Sequence, residues 1–323
     1  MLMPAFIHPN IWPARLMGAK ARSLLAGPGF SGKVLAVLST TLYLLGDDGE
    51  ILWVALEEMP LHRRCLLASF QPSPLRVGQV FFTQEGCLRI GQDAAIELDR
   101  AIEWEPSAIE PEQAEPLPVV NACLERLLAV LPEPGEGAGL GRAIPLISAI
   151  AGGGSMAASP LDSLNIRAFS PILEIARAAL GQDMAGIVCK GRELAGLGPG
   201  LTPSGDDFLG GLLFAAHSLK TAYPGDFSWE QEFITDLIDW TRVQTNPISY
   251  TILSDLALGF GPEPLHEVIK DLLTSQDLRF PMSAVTRLLT IGHTSGWDIL
   301  AGMLTGMLLV KGRLNDCQCT ARA

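Results

Sequence analysis

The hydrophobic pattern of the chain changes once, at a Pro- and Glu-rich stretch near residues 103–118, and this change limits the folds open to it. Before the stretch, short apolar runs alternate with Gly-containing turns, which is typical of β-strands. After it, apolar residues recur at helical spacing. Strands followed by helices predict an α+β protein, with a β-rich barrel or sandwich at residues 1–110 and a helical domain at residues 111–323.

The individual elements follow from local patterns. Strands are predicted at residues 34–45, 51–56, 79–83, 87–90 and 95–98, with turn clusters at 46–49 and 84–86. Helices are predicted at residues 119–131, 172–180, 233–241, 265–273 and 284–291, with Gly- and Pro-rich loops at 132–141 and 152–160.

Composition excludes several classes of partner. The formal charge is −12, from 35 acidic and 23 basic residues. An acidic surface repels phosphate backbones and anionic lipid, so neither nucleic acid nor a membrane is expected, and a small anionic substrate needs a local pocket of opposite charge. The first twenty residues lack the order of a secretory signal, which predicts a cytoplasmic protein with reduced cysteines. Cys317 and Cys319 form a close pair, but no second Cys or His pair is near enough to complete a zinc site.

The most distinctive motif is Gly-Leu-Gly-Pro-Gly-Leu-Thr-Pro-Ser-Gly-Asp-Asp at residues 196–207. Gly198 and Gly200 allow a ligand to approach the main chain, and Thr202 before a proline is a favourable helix N-cap. A glycine loop that leads into a helix N-terminus attracts anions. Asp206 and Asp207 in the first turn either stabilise the helix dipole or bind a cation or a substrate amide. The alternative is a capped helix whose glycines only permit tight packing.

A second copy of the scheme Ser-Gly-x-Asp-x-Leu-x-Gly-x-Leu follows. The first copy covers residues 204–213 and the second covers residues 295–304, 91 positions later. In both copies the Asp and the second Gly share a helix face. The repeat predicts two pseudo-symmetric helices whose N-termini bring Asp207 and Asp298 to one site; two unrelated capped helices are the alternative.

Other polar residues are candidates for binding or proton transfer. His293, just before the second copy, is the best general acid or base by position. Arg242, Asn246 and Ser249 lie at a helix–helix turn between the copies, where a simple capped turn is the alternative. Upstream of the glycine loop, Lys190 and Arg192 are either an anion-binding pair or an exposed basic pair.

The glycine-loop motif, Thr245-Asn246-x-Ile248-Ser249 and Gly292-His293-Thr294-Ser295-Gly296-x-Asp298 together resemble a bacterial family that includes the AllH-type subunit of oxamate carbamoyltransferase, from anaerobic allantoin breakdown. The resemblance implies work with two other subunits on carbamoyl phosphate and oxamate, or the reverse phosphorolysis of oxalurate. It implies a site at Gly198, Gly200, Thr202, Ser204, Asp206, Asp207, Asn246, Ser249, His293, Ser295 and Asp298. The usual transcarbamoylase signatures are absent, since the chain has no Ser-Thr-Arg-Thr sequence.

Three hypotheses therefore stand. In the first, the chain is a transferase subunit whose site lies at the two motif copies. The glycine loop and Lys190 or Arg192 then hold phosphate, Arg242 holds a carboxylate, and an Asp or His293 takes the proton. Alternatively, it is a metal-dependent enzyme that acts on another small phosphorylated or amide substrate, in which Asp206, Asp207 and Asp298 bind Mg²⁺. The third hypothesis is a non-catalytic assembly subunit. No cofactor other than Mg²⁺ is indicated.

Overall fold

The computed structural model describes residues 10–27, 29–73, 75–92, 94–152, 163–275 and 282–320. The chain divides into two compact units, Met1–Ser107 and Ala108–Ala323. The loop predicted at residues 152–160 lies outside the described residues after Gly152, and so does the side chain of Cys319.

The first unit is a closed β-sheet with one short helix. Its elements are β1 (Asn10–Gly18), α1 (Ala19–Ala26), β2 (Ser31–Val37), β3 (Thr41–Gly46), β4 (Ile51–Ala55), β5 (Cys65–Ala68), β6 (Val80–Gln84), β7 (Cys87–Ile90), β8 (Ala94–Glu97) and β9 (Ile102–Trp104). The strand order is β5-β4-β3-β2-β6-β7-β8-β1, and an antiparallel β1–β5 pairing closes these eight strands into a barrel. The last strand, β9, pairs in parallel with the far end of β1.

Local sequence explains the tightest hairpin of the barrel. Glu85 and Gly86 both have positive φ, 51° and 69°, between β6 and β7. Two residues with positive φ form the turn whose twist matches that of the paired strands. The register that follows, from Gln84 opposite Cys87 to Phe81 opposite Ile90, turns Phe81, Leu88 and Ile90 into the core.

The barrel interior is filled by side chains from every major strand, including Leu42, Leu44 and Leu66. β4 is buried along its whole length. Its outward Trp53 is covered by His62, whose ring stacks on it with the centroids 4.8 Å apart. Burial of large apolar side chains on both faces of β4 makes it a stabilising element of this unit.

The α+β prediction is confirmed, whereas some predicted elements were wrong in detail. Residues 34–45 are two strands, because Leu38 donates its N–H to the Thr41 carbonyl and closes a turn between β2 and β3. The strands β1, β5 and β9 were missed. β1 contains Pro13, a residue that argues against strands away from sheet edges.

The second unit is helical. Its α-helices are α2 (Leu117–Val130), α3 (Ile144–Ala151), α4 (Ser163–Leu180), α5 (Met184–Gly191), α6 (Ser204–Ala222), α7 (Gln231–Thr241), α8 (Pro247–Ala257), α9 (Glu263–Thr274), α10 (Met282–Leu289) and α11 (Ser295–Thr320). Short 3-10 helices occupy Pro111–Gln113 and Gly139–Ala143.

α6 and α11 form the centre of this unit. Nearly every side chain of α6 up to Ala216 is buried, and so are those of α11 from Asp298 to Val310. The other helices pack around the pair, with α8 against α6 and α4 against α11. A helix that is apolar on all sides belongs in a core, and both helices follow that rule. None of the described helices is both long and apolar enough to cross a membrane.

Candidate functional site

The two motif copies meet where α6 and α11 cross. A Cβ atom on Gly211 would overlap the Ile299 carbonyl oxygen, and one on Gly302 would overlap the Phe208 carbonyl oxygen. Ile299 and Phe208 hold the same position in their copies, one residue after the motif Asp. The two contacts are therefore exchanged by a local pseudo-twofold axis, and glycine is required on both sides because the backbones touch.

The starts of the two helices obey the same symmetry. Gly205 lies against the Leu194 carbonyl, with no room for a side chain, and Gly296 lies against the Leu288 carbonyl in the same way. The crossing of α6 and α11 brings the N-termini of the two helices together, as the repeat predicted.

Hydroxyl groups link the two copies at this point. The Thr202 and Ser295 hydroxyl oxygens are 2.9 Å apart, and those of Ser204 and Thr294 are 3.4 Å apart. Each pair joins a residue at the start of α6 to one at the start of α11. The sequence had indicated Thr202, Ser204 and Ser295 as candidates, and the structure brings all three together.

Asp207 lies beneath the Thr202–Ser295 pair and is only 3% exposed. Burial, followed by the negative charges of Asp298 and Asp206, raises its pKa well above the ordinary value, against hydrogen bonds from the Ser295 and Thr202 hydroxyls. One carboxylate oxygen, Oδ2, has no hydrogen-bond partner among the residues described. A buried carboxyl of this kind holds its proton to higher pH and is a stronger base once ionised.

Asp298 is the equivalent residue of the second copy and is fully buried. Its Oδ1 accepts the Leu140 N–H at 2.6 Å, and the Thr294 and Ser204 hydroxyls also hydrogen-bond to its carboxyl group. Burial nevertheless raises the pKa of Asp298 to about 6. Its Oδ2 also lacks a partner in the described part of the chain. Each aspartate is thus bound by a serine of the opposite copy.

Asp206 makes different contacts from its neighbour Asp207. Its Oδ1 accepts the Gly196 N–H at 2.7 Å and its Oδ2 accepts the Ser249 hydroxyl at 2.7 Å. Both carboxylate oxygens therefore accept a hydrogen bond, and the residue is only 1% exposed. Asp206, predicted as catalytic, is placed as an anchor that joins the glycine loop and α8 to the start of α6.

Asn246 also holds the glycine loop in place. Its side-chain oxygen accepts the Ile248 and Ser249 N–H groups and caps α8, while its side-chain NH₂ donates to the Leu201 carbonyl at 2.8 Å. Gly198 packs against the Ser204 backbone with φ +121°, and Gly200 lies exposed at the outer bend of the loop with φ +99°. The loop conformation requires these glycines whether or not a ligand binds.

The predicted cap of α6 was wrong by one residue. α6 begins at Ser204 with Pro203 at the N-cap, and the Thr202 hydroxyl goes to Ser295 and Asp207 instead of the first turn. The Gly205 N–H donates to the Leu197 carbonyl. The first turn of α6 therefore has fewer free N–H groups for an anion than its sequence suggested.

The basic candidates lie away from the aspartates, on the surface. Lys190 bridges Glu174 and Glu193 at 2.8 and 3.1 Å, so its charge is already paired. Arg192 lies over the Trp240 ring and Arg242 over the Tyr250 ring, 5.4 and 5.2 Å from the ring centroids. His293 is exposed on the loop before α11. An anion could reach these groups, but they do not form part of the buried cluster.

Sequence reasoning missed two contributors. Thr294 was quoted in a motif but given no role, although it bonds both Ser204 and Asp298. The 3-10 turn Gly139–Ala143 was read as a loop, although it supplies the Leu140 N–H and packs Gly139 against Asp298. Nothing in the sequence marks this turn, because it lies 158 residues from its partner.

The geometry also bears on the magnesium hypothesis. Within the described ranges no group of three or more His, Cys, Asp or Glu side chains is placed to hold a metal ion. Asp206, one of the three proposed ligands, is already occupied by Gly196 and Ser249. The donor set that the sequence suggested does not assemble around one point.

Comparison with known proteins agrees with the motifs. Residues 194–307 match the model of a family described as oxamate carbamoyltransferase subunit AllH. The matched segment includes both motif copies, the glycine loop and the turn at Asn246. The resemblance to the AllH-type family is thereby confirmed over the segment that forms the site. No solved structure matches the chain.

Proposed function

We propose that the chain is a carbamoyltransferase subunit and that Asp207 and Asp298 provide the acid–base groups of its site. The observation that carries this proposal is the crossed arrangement in which each buried aspartate is bound by a serine of the opposite copy and keeps one oxygen without a partner in the described structure. A chain rarely retains two such oxygens in a core, since each is costly to bury.

The reaction that fits the family description transfers a carbamoyl group between phosphate and oxamate. The oxamate nitrogen attacks the carbonyl carbon of carbamoyl phosphate, the carbon–oxygen bond to phosphate breaks, and phosphate leaves with the electron pair. The nitrogen must lose a proton, which an amide does reluctantly. The Ser295 and Thr202 hydroxyls contact each other and hydrogen-bond to Asp207, and in this proposal they pass that proton to the carboxylate.

The surrounding candidates take supporting roles in this proposal. Gly198 and Gly200 shape the loop, Asn246 holds it, and His293, Arg192 and Arg242 are exposed groups that an anion can reach from solvent. The other carbamoyltransferase subunits are the proposed partners, and they would supply the rest of the anion-binding groups that the acidic chain lacks.

A non-catalytic assembly subunit is the second candidate function. It is favoured by the burial of Asp206, Asp207 and Asp298, which are 1, 3 and 0% exposed. In that case the motif glycines serve to pack α6 against α11, and the aspartates serve only to hold the helix starts.

The two candidates are separated by phosphate-dependent oxalurate cleavage in a complex reconstituted from all of its subunits. If the site is catalytic, Asp207→Asn and Asp298→Asn each lower kcat about 10²–10⁴-fold while the melting temperature is unchanged or higher, because an isosteric amide cannot take a proton. Activity that simply follows melting temperature, or that both variants retain, would identify the assembly role.

A further inference from the structure

The 3-10 turn Gly139–Ala143 makes the surroundings of the two aspartates different. The hydrogen-bond partners of Asp207 are side-chain hydroxyls, which can rotate and either donate to a carboxylate or accept from a carboxylic acid. Asp298 receives, besides two hydroxyls, the backbone N–H of Leu140 on its Oδ1 at 2.6 Å. Because an N–H can only donate, this bond keeps its direction whichever form Asp298 takes.

Gly139 brings the turn into contact with the Asp298 carboxyl group. Its φ of +52° lies in the region that favours glycine. A Cβ atom at this position would overlap Oδ1 of Asp298 and lie 2.8 Å from the Cβ of Thr294. A side chain at position 139 would therefore push the carboxyl group away from the Leu140 N–H.

The turn is fixed by two further contacts. The Leu140 side chain is fully buried in the core of the helical unit. A Cβ atom on Gly141 would lie 2.8 Å from the Trp297 ring, and Trp297 directly precedes Asp298 in α11. The turn thus contacts two successive residues at the start of α11, which holds the carboxyl group in one orientation.

This orientation separates the roles of the two Asp298 oxygens. A proton on Oδ1 would compete with the Leu140 N–H for the same oxygen, because the protonated oxygen of a carboxylic acid loses acceptor capacity. The other oxygen, Oδ2, has no hydrogen-bond partner in the described part of the chain. Oδ2 is therefore the oxygen that remains available to a proton.

We propose that the turn Gly139–Ala143 is a positioning element that binds Oδ1 of Asp298 and thereby makes Oδ2 the oxygen through which Asp298 gives or takes its proton. The proposal rests on the proposed function, since it takes Asp298 as an acid–base group, but the contact can be measured without the reaction. Burial raises the pKa of Asp298 to about 6, and its hydrogen bonds, including that from Leu140, lower it. Loss of the Leu140 bond should therefore raise this pKa further.

The titratable groups around Asp298 come from several elements. α6 contributes Asp206 and Asp207, the turn contributes Arg142, and the loop before α11 contributes His293. The negative charge of Asp298 raises the pKa of Asp207, so Asp298 is expected to ionise first as the pH rises. The other helices that pack on α11 carry their charged side chains at exposed or half-buried positions, namely Glu125, Arg126, Arg167, Glu174, Arg177 and Arg287.

The test is an NMR titration of the Leu140 amide in the full chain. Labelling of the Gly carbonyl carbons and the Leu amide nitrogens restricts the spectrum to the four Gly–Leu pairs, at 139–140, 196–197, 200–201 and 211–212, from which Leu140 is assigned. We expect the Leu140 signal of the wild type to titrate with a midpoint at about pH 6. A signal that does not titrate would overturn the proposal, and this result needs no variant to fold.

Asp298→Asn tests which oxygen carries the proton. The asparagine oxygen can accept the Leu140 N–H, and its NH₂ group then takes the place of a protonated Oδ2. The Leu140 signal of this variant should not titrate and should lie close to the wild-type position at low pH. A wild-type signal that moves at low pH past the Asn value, toward that of an amide without an acceptor, would put the proton on Oδ1 and contradict the proposal.

Gly139→Ala, labelled at Ala instead of Gly, tests the turn itself. We expect the Leu140 midpoint to rise by about one pH unit, because the carboxylate loses an N–H donor. Gly137→Ala, two residues earlier and with open space around it, is the matched control and should keep the wild-type midpoint. Equal midpoints in the two variants would refute the positioning role of the turn.

The pH dependence of kcat in the reconstituted complex separates this inference from the proposed function. A limb near pH 6 should move upward in Gly139→Ala by the amount that NMR gives, with KM little changed, and should stay in place in Gly137→Ala. A loss of folding alone would lower kcat without moving the limb. If the NMR midpoint moves but kcat has no such limb, the turn still orients the carboxyl group, and the proposed function of Asp298 is refuted together with the use of Oδ2 in the reaction.

Discussion

The two motif copies use the same residues to cross and different residues to attach to their surroundings. The equivalent hydrogen bonds between the copies are those of Ser295 to Asp207 and of Ser204 to Asp298. The third residue of the motif, just before the Asp, differs between the copies. In the first copy it is Asp206, bound to the glycine loop and α8, whereas in the second it is Trp297.

Trp297 meets its neighbour by packing instead of hydrogen bonding. Gly141 of the 3-10 turn lies against the Trp297 ring so closely that a Cβ atom there would overlap it. The two copies therefore share the residues that form the helix crossing. They differ in the residue, Asp206 or Trp297, that attaches each helix start to its neighbour. Ser, Gly, Asp and the second Gly are therefore the residues that both copies use in the same way, while the residue before the motif Asp contacts a different element in each copy.

The largest effect on stability is expected from the crossing glycines. Gly211→Ala and Gly302→Ala each drive a Cβ atom into the facing backbone, which cannot move without separating the helices. We expect a loss of about 3 kcal/mol in the free energy of unfolding for each variant, measured by denaturant titration. Gly225→Ala, at a position with open space around it, is the control and should change stability little. Unequal losses at Gly211 and Gly302 would break the symmetry between the copies.

A smaller effect is expected from the anchor that only the first copy has. Ser249→Ala removes the donor to Asp206 Oδ2 and leaves a buried carboxylate oxygen without a partner. The expected loss is about 1–3 kcal/mol, because a buried acceptor without its bond keeps its desolvation cost. The same denaturant titration checks it, with Ser218→Ala as the matched control, since that serine bonds within its own helix. A neutral result would mean that Asp206 does not hold α8 to the site.

Sequence reasoning reached the fold class and the pairing of the copies for identifiable reasons. The change of hydrophobic period separates strands from helices, and the residues that repeat are those that make the crossing. It could not assign Asp206 and Asp207 different roles, because the two are adjacent and identical. Their difference comes from Gly196, Ser249 and Ser295, partners that lie 10, 43 and 88 positions along the chain.

The same limit applies to the polar residues around the site. Lys190 and Arg192 stand close to the glycine loop in sequence, but local ion pairing and stacking direct their side chains to Glu174 and Trp240. Thr202 has the sequence of an N-cap, yet the nearby Ser295 hydroxyl competes for its side chain. Local sequence patterns predict helices and turns. Which polar side chains contact each other depends on segments that are distant in the sequence, and local patterns do not contain that information.

The central claim is that Asp207 and Asp298 work as one unit, and a double variant tests it most directly. The measurement is kcat for phosphate-dependent oxalurate cleavage by the reconstituted complex carrying Asp207→Asn, Asp298→Asn or both. When two residues act together, removing either one already abolishes their joint contribution to kcat. The kcat of the double variant should therefore be close to that of the slower single variant, about 10²–10⁴-fold below the wild type. If the double variant loses the product of the two single effects, or if either single variant keeps near-normal activity, the two aspartates do not act together as the acid–base groups of one site.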